Sequence, residues 1–110
     1  MRERSRMMKG LISILILKEL YTSPLHGYAI QRRISEKIGN DLPPGMIYVI
    51  LKSLERKGCI ESQEGRGEHG KNIKIYHITE HGRDFLLSHR DQLSTMRVLI
   101  DDILQTIGKD

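Results

Sequence analysis

Apolar residues crowd the early part of the chain and then settle into regular spacings. Residues 11–17 read Leu, Ile, Ser, Ile, Leu, Ile, Leu, followed by Lys18, Glu19, Leu20 and Tyr21 and closed by Ser23 and Pro24. This run is too short to cross a bilayer, and it predicts a helix buried on several faces. Its isoleucines would also suit a central strand, and periodicity alone does not separate the two; length and the Lys18, Glu19 ending favour the helix. From His26 to Lys37, Ile30, Ile34 and Ile38 recur every fourth residue among Gln31, Arg32, Arg33, Glu36 and Lys37, which predicts an amphipathic helix. Gly39, Asn40 and Asp41 make a turn. Pro43 and Pro44 then open a third helix, because proline suits a first helical position where its missing N–H has no partner to lose, and Gly58 ends it. Ile47, Ile50, Leu51 and Leu54 share one side of that helix, whereas Tyr48, Val49, Lys52, Ser53 and Arg56 share the other.

Periodicity changes after Gly58. Cys59 to Glu64 and Asn72 to Ile78 carry strand-forming residues, separated by the glycine-rich stretch Gly65 to Lys71, and predict a β-hairpin. Thr79 is placed to cap a final helix, with Glu80 and Asp84 near its positive end, and the apolar pattern runs to Ile107 before Gly108. Read as one helix, this segment is about 42 Å long. Leu86, His89, Leu93, Met96, Ile100, Ile103 and Ile107 alternate spacings of 3 and 4 along it, a heptad seam interrupted only by His89. Leu99 and Leu104 widen the stripe, so packing against more than one helix is expected. A stripe this long favours a second copy of the chain over a helix folded back on its own domain. Leu93, Met96, Ile100, Ile103, Leu104 and Ile107 are therefore the expected homodimer contacts.

Composition restricts the classes that remain. The 110 residues include one Phe, no Trp and one cysteine, Cys59, which is read as a small buried hydrophobe. A single cysteine excludes an internal disulfide framework and points to a reducing cytoplasm, and no membrane partner is expected. Residues 1–83 hold 15 basic and 9 acidic side chains, so +6, while residues 84–110 hold 3 and 5, so −2. The opening Met1 to Lys9 carries Arg2, Arg4, Arg6 and Lys9 against Glu3, and is expected to be a mobile basic arm. Neither a nucleophile motif, a phosphate loop nor a metal-binding histidine pair on one helix is present. His77 and His81 are four apart, but Thr79 divides strand from helix between them. An enzyme, a cofactor and a metal site are accordingly not expected.

The order helix, helix, helix, hairpin, helix, with the third helix opened by proline, predicts a mainly α winged helix-turn-helix over residues 10–79. The arm 1–9 precedes it and a long dimerisation helix, 80–110, follows. DNA is the default partner of that scaffold. Tyr48, Lys52, Ser53 and Arg56 offer hydroxyls and cations to phosphates or base edges. Arg66, Lys71 and Lys74 on the wing suit phosphates. Residues 52–83 hold 7 basic and 5 acidic side chains, an excess too small for a non-specific clamp. Affinity then depends on placement and on two copies meeting two-fold related half-sites. The competing expectation is a winged-helix protein-interaction module that does not bind DNA.

Several stretches resemble one family. They are Lys9, Gly10, Leu11, then Ile14 to Leu17, the tripeptide His26, Gly27, Tyr28, the run Pro44, Gly45, Met46, Ile47, Tyr48 with Leu51, Leu54, Glu55 and Gly58, and Lys74 to Gly82. Over about residues 9–85 the chain resembles PadR-type transcriptional regulators, in the short form with one carboxy-terminal dimerisation helix. The resemblance implies that the third helix reads DNA, which adds Gly45, Met46 and Val49 to the expected contacts, with Tyr48 and Lys52 at the DNA face. It also implies that the wing meets the adjacent groove or backbone, that first and last helices build the dimer, and that the outcome is repression relieved by a small-molecule effector. Pro43 and Met46 depart from the pattern, standing where Ser or Thr is frequent, and remove hydroxyls from the start of the reading helix. Some relatives stack flat effectors on tryptophan; this chain has none, leaving Tyr21, Phe85 and His89 near such a pocket.

Overall fold

The structure is a computed structural model and describes residues 2–39 and 42–108, apart from the side chains of residues 2–5 and 44. Its elements follow the order α1 (Arg2–Thr22), β1 (Leu25–His26), α2 (Gly27–Ile38), α3 (Pro44–Arg56), β2 (Ile60–Arg66), β3 (Asn72–Ile78), α4 (Glu80–Leu87) and α5 (Arg90–Ile107). A short 3-10 turn, Glu68–Gly70, occupies the hairpin tip. Gly39 and Gly58 close α2 and α3 with φ of 83° and 78°, as the sequence suggests.

The core forms where three helices meet one sheet. Ile12, Ile16, Leu17 and Leu20 of α1, Ile30 and Ile34 of α2, and Ile47, Ile50, Leu51 and Leu54 of α3 are buried together with Cys59, Ile60 and Tyr76. The apolar side expected of α3 is thus the side that packs. Strands run in the order β1-β3-β2, all antiparallel. Pairing of Ile60 with Ile78, Ser62 with Tyr76 and Glu64 with Lys74 puts these six side chains on one face of the hairpin. β1 was not anticipated: two residues have no period to read, and Leu25 and His26 gain their strand character only by pairing with Tyr76 and Ile75.

Two expectations require correction. The helix α1 begins at Arg2, so the described part of the stretch read as a mobile arm is helical. Arg, Glu and Met propagate a helix well even without an apolar stripe. The carboxy-terminal segment is two helices, not one. Phe85 O, which should bond the backbone N–H of His89, instead accepts from Ser88 Oγ at 2.7 Å and His89 Nδ1 at 2.8 Å. The His89 N–H turns to Leu86 O, 3.1 Å away. Local side-chain bonds have replaced one rung of the helical ladder, and the seam breaks at His89, its one polar member. Helix α4 packs against α1 and β3, while no residue of α5 is buried.

Thr79 caps α4 as expected, accepting from Gly82 N–H at 3.0 Å. Its hydroxyl also donates to Gly58 O at 2.6 Å, tying the start of α4 to the end of α3. Gly82 is buried there because a Cβ would collide with the Cys59 carbonyl oxygen.

Among the described residues one charged group lies inside the fold. Glu19 is 5% exposed and meets Lys18 Nζ at 3.3 Å, Arg33 Nη1 at 3.3 Å and Lys37 Nζ at 3.6 Å. Burial pushes its carboxyl up, but hydrogen bonds from Lys18 and Arg33 and the charges of Lys18 and Lys37 outweigh burial and hold it below the ordinary glutamate value. The cluster bolts α2 to α1. Gln31 Nε2 in turn donates to Leu42 O at 2.9 Å, fixing the approach to α3.

Candidate nucleic-acid interface

With one side of α3 in the core, its remaining side is free to face a ligand. Gly45, Tyr48, Val49, Lys52 and Arg56 are exposed and Ser53 is half-buried. Met46 is half-buried, packed in part against the core. Pro43 stands at the N-cap position of the helix and makes no side-chain cap, because proline has no hydroxyl to accept from the first N–H groups of α3.

The hairpin stands beside this helix. Arg66, Lys71 and Lys74 are all exposed. The tip is closed by Gly67 N–H donating to Lys71 O at 2.7 Å, and His69 takes a φ of 63°. Lys74 shares its face of β3 with Tyr76 and points toward α3, whereas Arg66 and Lys71 sit at the far end of the wing. The expected cations therefore fall into three places: Lys52 and Lys74 line the space between α3 and β3, Arg66 and Lys71 sit at the wing tip, and Arg56 stands exposed in the last turn of α3.

Between α3, β3 and the start of α2 lies an open crevice of about 510 Å³, lined by His26, Gly27, Tyr28, Tyr48, Val49, Lys52, Glu55, Ile73, Lys74 and Tyr76. Tyr48, Val49, Lys52 and Lys74 were expected at the interface; the others were not assigned to it. Three separate segments meet there, and their meeting depends on β1 pairing with β3, which no local pattern announces. The tripeptide His26, Gly27, Tyr28 was visible as a family signature, but its place beside α3 was not. The rings of His26 and Tyr28 stack with centroids 4.9 Å apart and planes 10° apart.

Among the described residues Glu55 is the one acid in the lining, and it is occupied: Ser62 Oγ donates to its Oε2 at 2.6 Å. Tyr76 is 5% exposed. Burial above all, then the Glu55 carboxylate and Tyr48, pushes its phenol above the ordinary tyrosine value, so it presents a neutral hydroxyl. The crevice thus combines two ammonium groups, aromatic edges and hydroxyl donors, a set that can hold a phosphodiester backbone and pack against sugar or base faces. Among the described residues no three His, Cys, Asp or Glu side chains converge on a site for a metal ion, and no helix is long and apolar enough to cross a membrane.

A second surface runs along α5. Met96, Ile100, Ile103, Leu104 and Ile107 are exposed and Leu93 is half-buried; Val98 and Leu99 add to the stripe. Tyr21 and Phe85 are exposed nearer the core, the Phe85 ring lying 4.6 Å from that of His89.

The same architecture occurs in solved proteins. A candidate transcriptional regulator of Thermoplasma acidophilum shares 41% identity and a TM-score of 0.85, with 93% of this chain and 98% of the other covered. A PadR family transcription regulator of Clostridium difficile shares 28% identity and a TM-score of 0.73, with 84% and 97% covered. A PadR-like transcriptional regulator of Bacillus cereus, at 23% identity, shows the fold alone, with a TM-score of 0.79 and 91% and 97% covered. Residues 16–88, from the middle of α1 to the end of α4, match the Transcriptional regulator PadR-like family. The winged helix, its exposed third helix and this match agree: the chain belongs to the PadR-like family of transcriptional regulators, which are not enzymes.

Proposed function

We propose that the protein is a homodimeric, sequence-specific DNA-binding repressor whose grip is relieved by a small molecule. The observation that carries DNA binding is the exposed side of α3, with Tyr48, Lys52 and Arg56, set beside a wing bearing Lys74 at the crevice and Arg66 and Lys71 at the tip. In this reading α3 enters the major groove, Gly45 lets its first turn approach the backbone, and Val49 and Ser53 meet base edges or sugars. Met46 packs in part against the core and offers its remaining exposed edge to the duplex at the start of α3.

Dimerisation is supported by α5. Burying half-exposed Leu, Ile and Met side chains gives about 1 kcal/mol each, and over its 18 residues the described chain buries none of the stripe. Two α5 helices, with α1 close by, would then fix the separation of two α3 helices, so that they meet two-fold related half-sites on successive turns of a duplex. A small apolar effector would act where Tyr21, Phe85 and His89 border this surface, altering that separation. The chain would work in the cytoplasm, where its DNA is.

The test begins with the purified protein and random duplex DNA. Rounds of selection should enrich a sequence with inverted symmetry, bound with an affinity that falls as salt rises. No enrichment, with a flat salt response, would favour a protein-interaction module instead.

A further inference from the structure

Gly27 opens α2 and is buried, yet its φ is not positive, so backbone freedom is not why the position lacks a side chain. The space is taken by another residue. A Cβ at Gly27 would stand 2.8 Å from Tyr48 Cε1, 2.9 Å from its hydroxyl oxygen and 3.2 Å from Cζ. The ring of Tyr48 therefore rests on the bare backbone at the start of α2. The residues flanking Gly27, His26 and Tyr28, stack on each other beside this seat. Tyr48 is 43% exposed and forms one wall of the crevice that Lys52 and Lys74 also line.

The atoms in the way decide what a methyl group here would do. At Gly82 the obstruction is Cys59 backbone, which cannot yield. At Gly27 the three nearest atoms all belong to the outer end of one partly exposed side chain. An added methyl would leave the fold in place and push the ring off its seat.

We infer that Gly27 is a positioning residue for DNA recognition: by having no side chain it seats Tyr48 against α2 and fixes how that ring is presented to the duplex. The inference rests on the DNA-binding reading above. A ring held before binding loses less freedom on binding than one that must be ordered by the DNA. Each half-site repeats the effect, so a dimer on a symmetric duplex feels it twice.

The test uses the full-length protein and a duplex selected by the wild type from a random pool. Four proteins are compared: wild type, Gly27→Ala, Tyr48→Ala and the double variant. Gly27→Ala should weaken binding about fivefold or more, the size expected from releasing one ordered side chain per half-site, with helicity and melting temperature unchanged. Tyr48→Ala should weaken binding at least as much. In the Tyr48→Ala background, Gly27→Ala should have no further effect, a coupling that a merely structural glycine would not show.

Wild-type affinity in Gly27→Ala overturns the inference, as does a loss that persists without Tyr48, which would mean that Gly27 acts through its own backbone. Should Gly27→Ala fail to fold, the double variant must fold as Tyr48→Ala does and Tyr48→Ala must bind poorly; failure of either also overturns it. If the wild type selects no duplex at all, the DNA-binding reading fails first and takes this inference with it, an outcome distinct from the others.

Discussion

Replacing Ile100 with Asp places a carboxylate in the middle of the apolar stripe of α5. Ile100 is 49% exposed in the single chain, so the substitution removes little that the monomer uses, and folding should survive it. In a two-fold dimer the change enters twice. Each copy forfeits about 1 kcal/mol of apolar burial and must also desolvate a carboxylate, which costs at least about 2 kcal/mol more without a partner. A loss of about 6 kcal/mol weakens association more than about ten-thousandfold. Sedimentation at micromolar concentration should therefore report twice the 12.7 kDa chain mass for the wild type and the single-chain mass for Ile100→Asp, with equal helicity. DNA binding should fall with the dimer. An unchanged mass in Ile100→Asp would refute α5 as the interface, and a monomeric wild type would refute the dimer.

The other predictions concern charge and capping. Lys52→Ala or Arg66→Ala should weaken DNA binding and lower the salt slope by about 1 for each phosphate left without its cation, while the melting temperature stays put because exposed charges add about 1 kcal/mol at most. Thr79→Ala, which removes both the α4 cap and the bond to Gly58 O, should cost about 1–2 kcal/mol in denaturant unfolding. Because the Glu19 carboxyl is held below its ordinary value in the folded state, its stabilisation is complete above the unfolded value of 4.5 and disappears as pH falls through the folded one. Glu19→Gln should flatten that acid limb in thermal melts recorded across pH; an unchanged limb would show that other carboxylates produce it.

Much of the fold could be read from side-chain spacing because its elements are long relative to their periods. Ile47, Ile50, Leu51 and Leu54 identify the buried side of α3 with no knowledge of what covers it, and the same wheel leaves Tyr48, Lys52 and Arg56 outside. Features decided by packing between distant parts of the chain were harder to see. The pair Leu25 and His26 becomes a strand only through β3. Glu19 looks like an ordinary polar helix ending until α2 brings Arg33 and Lys37 to it.

The break before α5 was half visible. His89 was the one polar residue in the seam, but only its bond to Phe85 O shows that the ladder yields there. The crevice follows the same rule: the family signature His26, Gly27, Tyr28 is plain in the sequence, while the contact of Gly27 with the Tyr48 ring needs β1, α2 and α3 assembled.

The central claim is that two chains present their α3 helices to one duplex. Sedimentation of the wild-type protein with an excess of its selected duplex measures this directly. The account predicts one complex whose mass is that of the duplex plus two chains, abolished by scrambling either half-site. A complex holding a single chain, or none that distinguishes the selected duplex from a scrambled one, would contradict it.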